Sequence, residues 1–280
     1  MESDGISNMG MGNASDIPTA TIISAPAVVP ICKIGLEELK TLVNGISQLT
    51  DEANFKFRPA GLSLEVVDPA HVAMIKITAP MESFRDYNNT IDRDVGIDMD
   101  RLGDIVKLMK RNETIELEIT GESPAGIPVL AYKIVMGDGT TVKTAGTIRT
   151  VDTLGMPAPK LPNVNLTTSF RVDPARLEGI FKACALMSDH VMISVVEGKI
   201  TISAAGEYDK LESVISGPAE GEQNARSLFS LDMLQRIVKA AKGIGELKIS
   251  MGTDYPLKVE YSKGVDMKYL VLLAPRIEND

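Results

Sequence analysis

The chain has 280 residues, 44% hydrophobic and 24% charged, enough apolar content for one large folded domain or two of ordinary size. Its 29 basic and 38 acidic residues give a net charge of −9, and such a surface on average repels nucleic acid. No apolar run approaches the ~18 residues of a spanning helix, Cys32 and Cys184 alone make neither a disulfide framework nor a four-ligand zinc site, and two histidines leave no His-rich metal centre.

Residues 1–26 are rich in Gly, Ser, Asn, Ala and Thr and show no periodicity, which predicts a disordered extension; the start lacks the basic and apolar stretches of a secretory signal. From residue 28 the pattern becomes regular. A strand is predicted at 28–34, then a helix at 36–49 with Leu39, Leu42, Val43 and Ile46 on one face. Strands at 55–57, 62–67 and 72–77 are separated by Pro59-Ala60-Gly61 and Asp68-Pro69. A second helix at 98–111 would bury Leu102, Ile105, Val106 and Met109, followed by strands at 114–119, 129–135 and 142–150. Gly137-Asp138-Gly139 reads as a hairpin turn. The proline-rich stretch 151–165 reads as an extended connector. Then the order repeats: a strand at 166–172, a helix at 173–187 with Pro174 in its first turn, strands at 191–195, 200–204 and 211–216, a helix at 230–242, and strands at 246–251, 257–261 and 267–273.

The repetition is also literal. At an offset of 132 residues, Asp100, Leu102, Ile105, Val106, Lys107 and Lys110 match Asp232, Leu234, Ile237, Val238, Lys239 and Lys242. The organisation predicted is therefore an extension (1–26), one domain (27–150), a connecting loop (151–165) and a similar domain (166–280), in an α+β fold.

Charge is unevenly divided. The predicted helices hold ten basic and eight acidic residues, leaving 19 basic against 30 acidic elsewhere. At 100° per residue, Lys107, Lys110 and Arg111 lie opposite the apolar face of the second helix, and Arg236, Lys239 and Lys242 opposite that of the fourth. The third helix offers Arg176 and Lys182, the first mainly Lys40. Several such faces along one surface would contact phosphates without reading bases. Nothing points to catalysis: there is no Walker or dinucleotide loop, no clustered carboxylates, and no nucleophile nominated beside His71 or His190.

Five strings carry a family resemblance: Leu64-Glu65-Val66-Val67-Asp68-Pro69-Ala70-His71-Val72, Leu154-Gly155-Met156-Pro157, Ser188-Asp189-His190-Val191, Asp254-Tyr255-Pro256-Leu257 and Leu273-Ala274-Pro275-Arg276-Ile277-Glu278. In order and spacing they resemble the archaeal and eukaryotic sliding clamp, proliferating cell nuclear antigen, with the archaeal type favoured. The resemblance implies a clamp fold: a homotrimeric ring of two-domain subunits, helices lining the hole and sheets forming an acidic outer wall, with double-stranded DNA passing through. DNA-facing residues would be Lys107, Lys182 and Lys239, then Lys40, Lys110, Arg236 and Lys242; Asp104 and Gly179 stand where relatives are often basic. Partners implied are a clamp loader, replicative DNA polymerase, flap endonuclease and DNA ligase, whose short motifs enter a pocket under the connecting loop. The matching pocket positions are Val67, His71, Val72, Leu154, Met156, Pro157, Asp254, Pro256, Ala274, Pro275, Arg276 and Ile277. Ring closure would pair edge strands at 142–150 and 208–216. No cofactor, metal, membrane or enzymatic activity is implied, and the compartment would be cytoplasmic and nucleoid-associated in an archaeon, nuclear in a eukaryote. The departures are the first 26 residues and a more proline-rich connector; His190 receives no role. The alternatives are one subunit of a heterotrimeric clamp or, less favoured, an unrecognised two-domain enzyme.

Overall fold

The computed structural model describes residues 30–122, 126–154, 156, 159–160, 162–164, 166–221 and 224–276. The extension predicted at 1–26 lies outside them. The described residues fold as four successive units, each a strand that runs straight into a helix and is followed by three more strands. The first unit comprises β1 (Cys32–Gly35), α1 (Leu36–Ser47), β2 (Glu52–Arg58), β3 (Gly61–Val67) and β4 (Ala73–Pro80), followed by a short strand, β5 (Asp86–Tyr87). The second comprises β6 (Arg93–Asp98), α2 (Met99–Leu108), β7 (Thr114–Glu122), β8 (Pro128–Val135) and β9 (Val142–Val151). In the second half come β10 (Thr168–Val172), α3 (Pro174–Cys184), β11 (His190–Val196), β12 (Lys199–Ala205) and β13 (Lys210–Ile215), then the short β14 (Ala219–Gly221). The last unit is β15 (Asn224–Ser230), α4 (Leu231–Ala240), β16 (Leu247–Met251), β17 (Leu257–Lys263) and β18 (Met267–Leu273). The 132-residue offset carries α2 onto α4 from end to end.

The opening strand of each unit pairs with a different unit. β1 pairs with β7 and β6 with β2, while β10 pairs with β16 and β15 with β11. Units are thus locked two by two. The halves meet where β4 pairs antiparallel with β18, from Ala73↔Leu273 to Lys268↔Thr78. That seam, with a short β6–β9 contact, makes one fourteen-stranded sheet; β13, β12, β11 and β15 form a second.

The helices form a layer in the spatial order α2, α1, α4, α3. Gly45 lets α1 approach the seam: a Cβ there would lie 3.4 Å from the Tyr269 ring and 3.6 Å from Ile75. Side-chain caps start two of the helices, α2 and α3. The Asp98 carboxylate accepts from Arg101 N–H (3.0 Å), and Asp173 accepts from Ala175 N–H (2.7 Å) beside Pro174 at the first position. One apolar stripe per helix is buried, including Leu39, Leu42 and Ile46 on α1 and Leu234, Ile237 and Val238 on α4.

Three sequence expectations change. Strands β6 and β15 are absent from the periodic reading, because each carries polar residues and merges into a helix with no intervening turn. The second and fourth helices end at Leu108 and Ala240, so Lys110 and Lys242 lie just beyond them rather than on helical turns. After Leu108 the backbone of Met109 is already extended (φ −79°, ψ 145°) while its side chain remains buried. The third helix stops at Cys184, three residues short of the predicted end.

Two outcomes test this architecture. Gly96 sits where β6 meets β9, and an added Cβ would stand 2.3 Å from the Val151 carbonyl oxygen. Gly96→Ala is expected to cost about 1–3 kcal/mol and lower Tm by several degrees in a thermal melt. On the outer sheet face Glu65 meets Lys76 at 2.7 Å and Lys56 at 3.3 Å. Burial pushes its pKa up, but the two ammonium groups outweigh that and hold it below the ordinary 4.5. The stabilisation is therefore complete above pH 4.5 and disappears as pH falls through the lowered folded value. Glu65→Gln should be less stable at neutral pH and show a shallower acid limb in denaturant titrations below that point.

Candidate functional site: a basic helix layer and an apolar cleft

The basic side chains expected to face DNA are all exposed: Lys40, Lys107, Lys182, Arg236 and Lys239 on the helices, Lys110 and Lys242 at their ends. Three of them are tied to a carboxylate one turn earlier on the same helix. Lys107 meets Asp104 (2.8 Å), Lys182 meets Glu178 (2.6 Å) and Arg236 meets Asp232 (2.9 Å). The Asp104 and Glu178 carboxyls are held below their ordinary range by these contacts, and Lys107 is raised in turn. Exposed pairs of this kind contribute little to stability, so an incoming phosphate competes easily for the ammonium.

The helix layer is not uniform. Lys182, Lys239 and Lys242 converge, with Glu178 among them, on a groove of about 340 Å³ between α3 and α4 that Phe181 and Val238 also line. Gln235 bridges the groove by donating from Nε2 to the Phe181 carbonyl (3.4 Å). In the first half, Lys40 makes no ion pair among the described residues, Glu113 lies near Lys110 and accepts from its backbone N–H (2.7 Å), and Asp104 offsets Lys107.

On the opposite side, the sheet carries an apolar cleft of about 240 Å³ beside the β4–β18 seam. Of the predicted pocket residues, Val67, His71, Val72, Pro256 and Ala274 line it. Its floor is Met74 and Leu272, cross-strand neighbours on β4 and β18, and its far wall is Pro159, Lys160 and Pro162 of the connector. These were not predicted. A signal did exist: Ala73-Met74-Ile75 and Val271-Leu272-Leu273 interrupt the alternation expected of strands with one wet face.

Five predicted residues stand outside the lining. Leu154 is 93% exposed, because the connector opens with a local turn: Leu154 N–H donates to Asp152 (2.9 Å) and Met156 N–H to the Thr153 carbonyl (3.1 Å). That turn keeps Leu154 and Met156 off the cleft. Asp254 and Arg276 instead run along β15, their N–H groups donating to the Arg226 (3.1 Å) and Leu228 (2.7 Å) carbonyls. Pro275 lies half-buried between Ala274 and Arg276. Pro157 and Ile277 lie outside the described residues.

The cleft wall at 68–73 depends on one buried carboxylate. Asp68 Oδ1 accepts from Val72 N–H (2.8 Å) and Ala73 N–H (2.6 Å), and Oδ2 accepts from Ala70 N–H (3.0 Å). These bonds hold His71 in the left-handed region (φ 57°) and present Val72, 38% exposed, at the rim. Val72 in turn accepts at its carbonyl from Ala274 N–H (2.8 Å), which fixes the opposite side.

Among the described residues, β9 and β13 each leave much of one edge without a strand partner. β9 pairs with β8 throughout but with β6 only at residues 150–151, and β13 pairs only with β12. Beside the β9 edge lies a cavity of about 740 Å³ lined by Ile105, Tyr132 and Ile148 together with Arg101, Arg149, Asp98, Asp104 and Asp152. Near the β13 edge Tyr208 is 89% exposed and Val214 43%.

Known proteins with these features share both sequence and fold. The family model described as the proliferating cell nuclear antigen N-terminal domain matches residues 36–129. The DNA polymerase sliding clamp of Methanocella arvoryzae is 32% identical over 255 residues, covering 88% of this chain and 98% of the relative. That of Methanothrix thermoacetophila is 30% identical with the same coverage. The solved Archaeoglobus fulgidus clamp bound to the C-terminal region of FEN-1 superposes with a TM-score of 0.78 at 29% identity, covering 89% of this chain and 99% of that one. The Thermococcus kodakaraensis clamp has the same fold, with a TM-score of 0.79 at 22% identity.

Replacing Asp68 with Asn removes one acceptor oxygen from a buried site holding three N–H groups. The expected cost is about 1–3 kcal/mol of local stability. Hydrogen exchange should show the amides of Val72 and Ala73 losing protection before the rest of β4.

Proposed function

Since the chain belongs to the DNA polymerase sliding clamp family, we propose that it encircles duplex DNA as a non-enzymatic processivity factor and tethers replication and repair enzymes at the connector cleft. The observation that carries this reading is the division of the fold: a continuous row of four helices exposes cations to one side, and the sheet lies on the other. A row of loosely paired lysines suits phosphate contacts that exchange as the ring moves along DNA.

The domain division is 27–150 and 166–280, joined by 151–165. Protomers close the ring by laying β13 of one copy on β9 of the next, which satisfies two free edges at once. Tyr208 and Val214 then meet the cavity beside β9, where Ile105, Tyr132 and Ile148 supply its apolar part. The same chain carries both edges, which favours a homotrimer over a heterotrimer subunit. DNA would contact Lys182, Lys239 and Lys242 most closely, and Lys40, Lys107, Lys110 and Arg236 more lightly. Val67, His71, Val72, Pro256 and Ala274 would receive the apolar anchor of a partner motif, with Met74 and Leu272 beneath it; a concave apolar site with few polar groups suits an aromatic plug. Flap endonuclease, DNA ligase, the replicative polymerase and the clamp loader are the partners expected there. The compartment is the cytoplasm, at the nucleoid.

Light scattering should give about three times 30.1 kDa, and a persistent monomer would refute self-closure. Replacing Lys182, Lys239 and Lys242 together by Ala should reduce the salt-dependence slope of DNA binding by about 2–3 and shorten retention on circular DNA. Lys40→Ala alone should change either by less than about twofold. Equal effects from both variants would refute a DNA path biased toward the second half.

A further inference from the structure

On a chain of net charge −9, one part of the sheet's outer face carries the opposite sign. Cross-strand pairing aligns Arg171, Lys248, Glu260, Leu270, Lys76 and Glu65 in a single row across β10, β16, β17, β18, β4 and β3. A parallel row beside it contains Ser262, Lys268 and Thr78. A cleft of about 450 Å³ lies over both rows, lined by the cations Lys76, Arg171, Lys248 and Lys268 and the carboxylates of Glu246 and Glu260.

The carboxylates are already engaged. Arg171 stands 3.1 Å from Glu246, and Lys258, just outside the cleft, 3.1 Å from Glu260. Lys76 is held at 2.7 Å by Glu65. Lys248 and Lys268 make no ion pair within 4 Å among the described residues, and Glu260, which stands across from Lys248, is held by Lys258, so the strip keeps an excess of positive charge. The strip is also continuous with the connector region. Lys248 lines a smaller cleft with Val164 of the connector and Leu166 and Thr167 just after it, and the next row holds Leu272 and Met74, the floor of the apolar cleft.

We propose that this strip is a second docking surface, for an extended acidic segment of a partner protein. Six strands at ~4.8 Å spacing span ~24 Å, the length of ~7 extended residues at ~3.4 Å each. Nucleic acid fits less well: Glu65, Glu246 and Glu260 interrupt the cations and would repel a regularly charged phosphate backbone, whereas a peptide can space its carboxylates to match. Exposed charges give weak, salt-sensitive contacts. The strip therefore acts by adding to an anchor elsewhere on the ring, through effective concentration. It goes beyond the connector-cleft reading and rests on separate residues.

The test uses the full-length protein and a fluorescein-labelled ten-residue peptide of alternating Glu and Ser, read by anisotropy at about 50 and about 300 mM salt. Binding is expected at the lower salt and lost at the higher. Lys248→Glu with Lys268→Glu should weaken it at least about tenfold, while the same charge change at exposed Arg85 and Lys199 should alter it less than about twofold. Unchanged light-scattering mass and retention on circular DNA would establish that the first double variant still folds and closes. Failure of those two controls in the wild-type protein would count against the clamp reading rather than the strip. No peptide binding at low salt, equal losses in both double variants, or a short duplex that displaces the peptide from the strip would each overturn the proposal.

Discussion

Strands β4 and β18 pair antiparallel over six residues, and the placement of both faces of the chain follows from that seam. On its inner side, Ile75, Ile77, Val271 and Tyr269 receive α1 through the close approach at Gly45. On its outer side, Met74 and Leu272 make the cleft floor, and Lys76 and Leu270 continue the charged row. Without the seam the two halves would expose those strand edges, and neither cleft nor row would exist. The exchange of opening strands adds a second constraint, since no unit completes its own sheet. Side chains at 32–35 and 93–98 are positioned by residues more than thirty-five places away in the chain.

The electrostatics follow from the same layering. Short helices of ten to twelve residues present one apolar stripe to the sheet, so their charged residues all face outward on one surface. Three of those cations are paired with a carboxylate one turn away. Such pairing lowers the standing positive potential without burying any charge, which suits contacts that must form and break quickly. The sheet face is not the uniformly acidic wall that the family resemblance implies. Its strands carry alternating ion pairs with a local excess of lysine.

The cleft joins the two kinds of structure. Its floor is regular sheet, with atoms fixed by ladder hydrogen bonds, and its rim is a loop held by Asp68 through three N–H groups. The third wall is the connector, whose prolines at 159 and 162 limit its backbone to extended forms. A rigid floor with a stiff wall favours apolar anchors of defined shape over a wide range of ligands.

The sequence by itself determined the four helices, most of the strands, the duplication and the helix faces that carry positive charge. Each of these rests on local periodicity, and periodicity survives in the letters. The motif around Asp68 and the Pro256 and Ala274 segments also identified one side of the cleft. Tertiary structure alone decided the rest. Strands β6 and β15 have no turn before their helices and exist because partner strands receive them. Leu154 and Met156 fall outside the cleft because a local turn redirects the connector, whereas Met74 and Leu272 enter it because a distant strand pair sets them side by side. Lys76, Lys248 and Lys268 form one strip only through the register of four strands, and no spacing along the chain encodes a register between residues nearly two hundred positions apart.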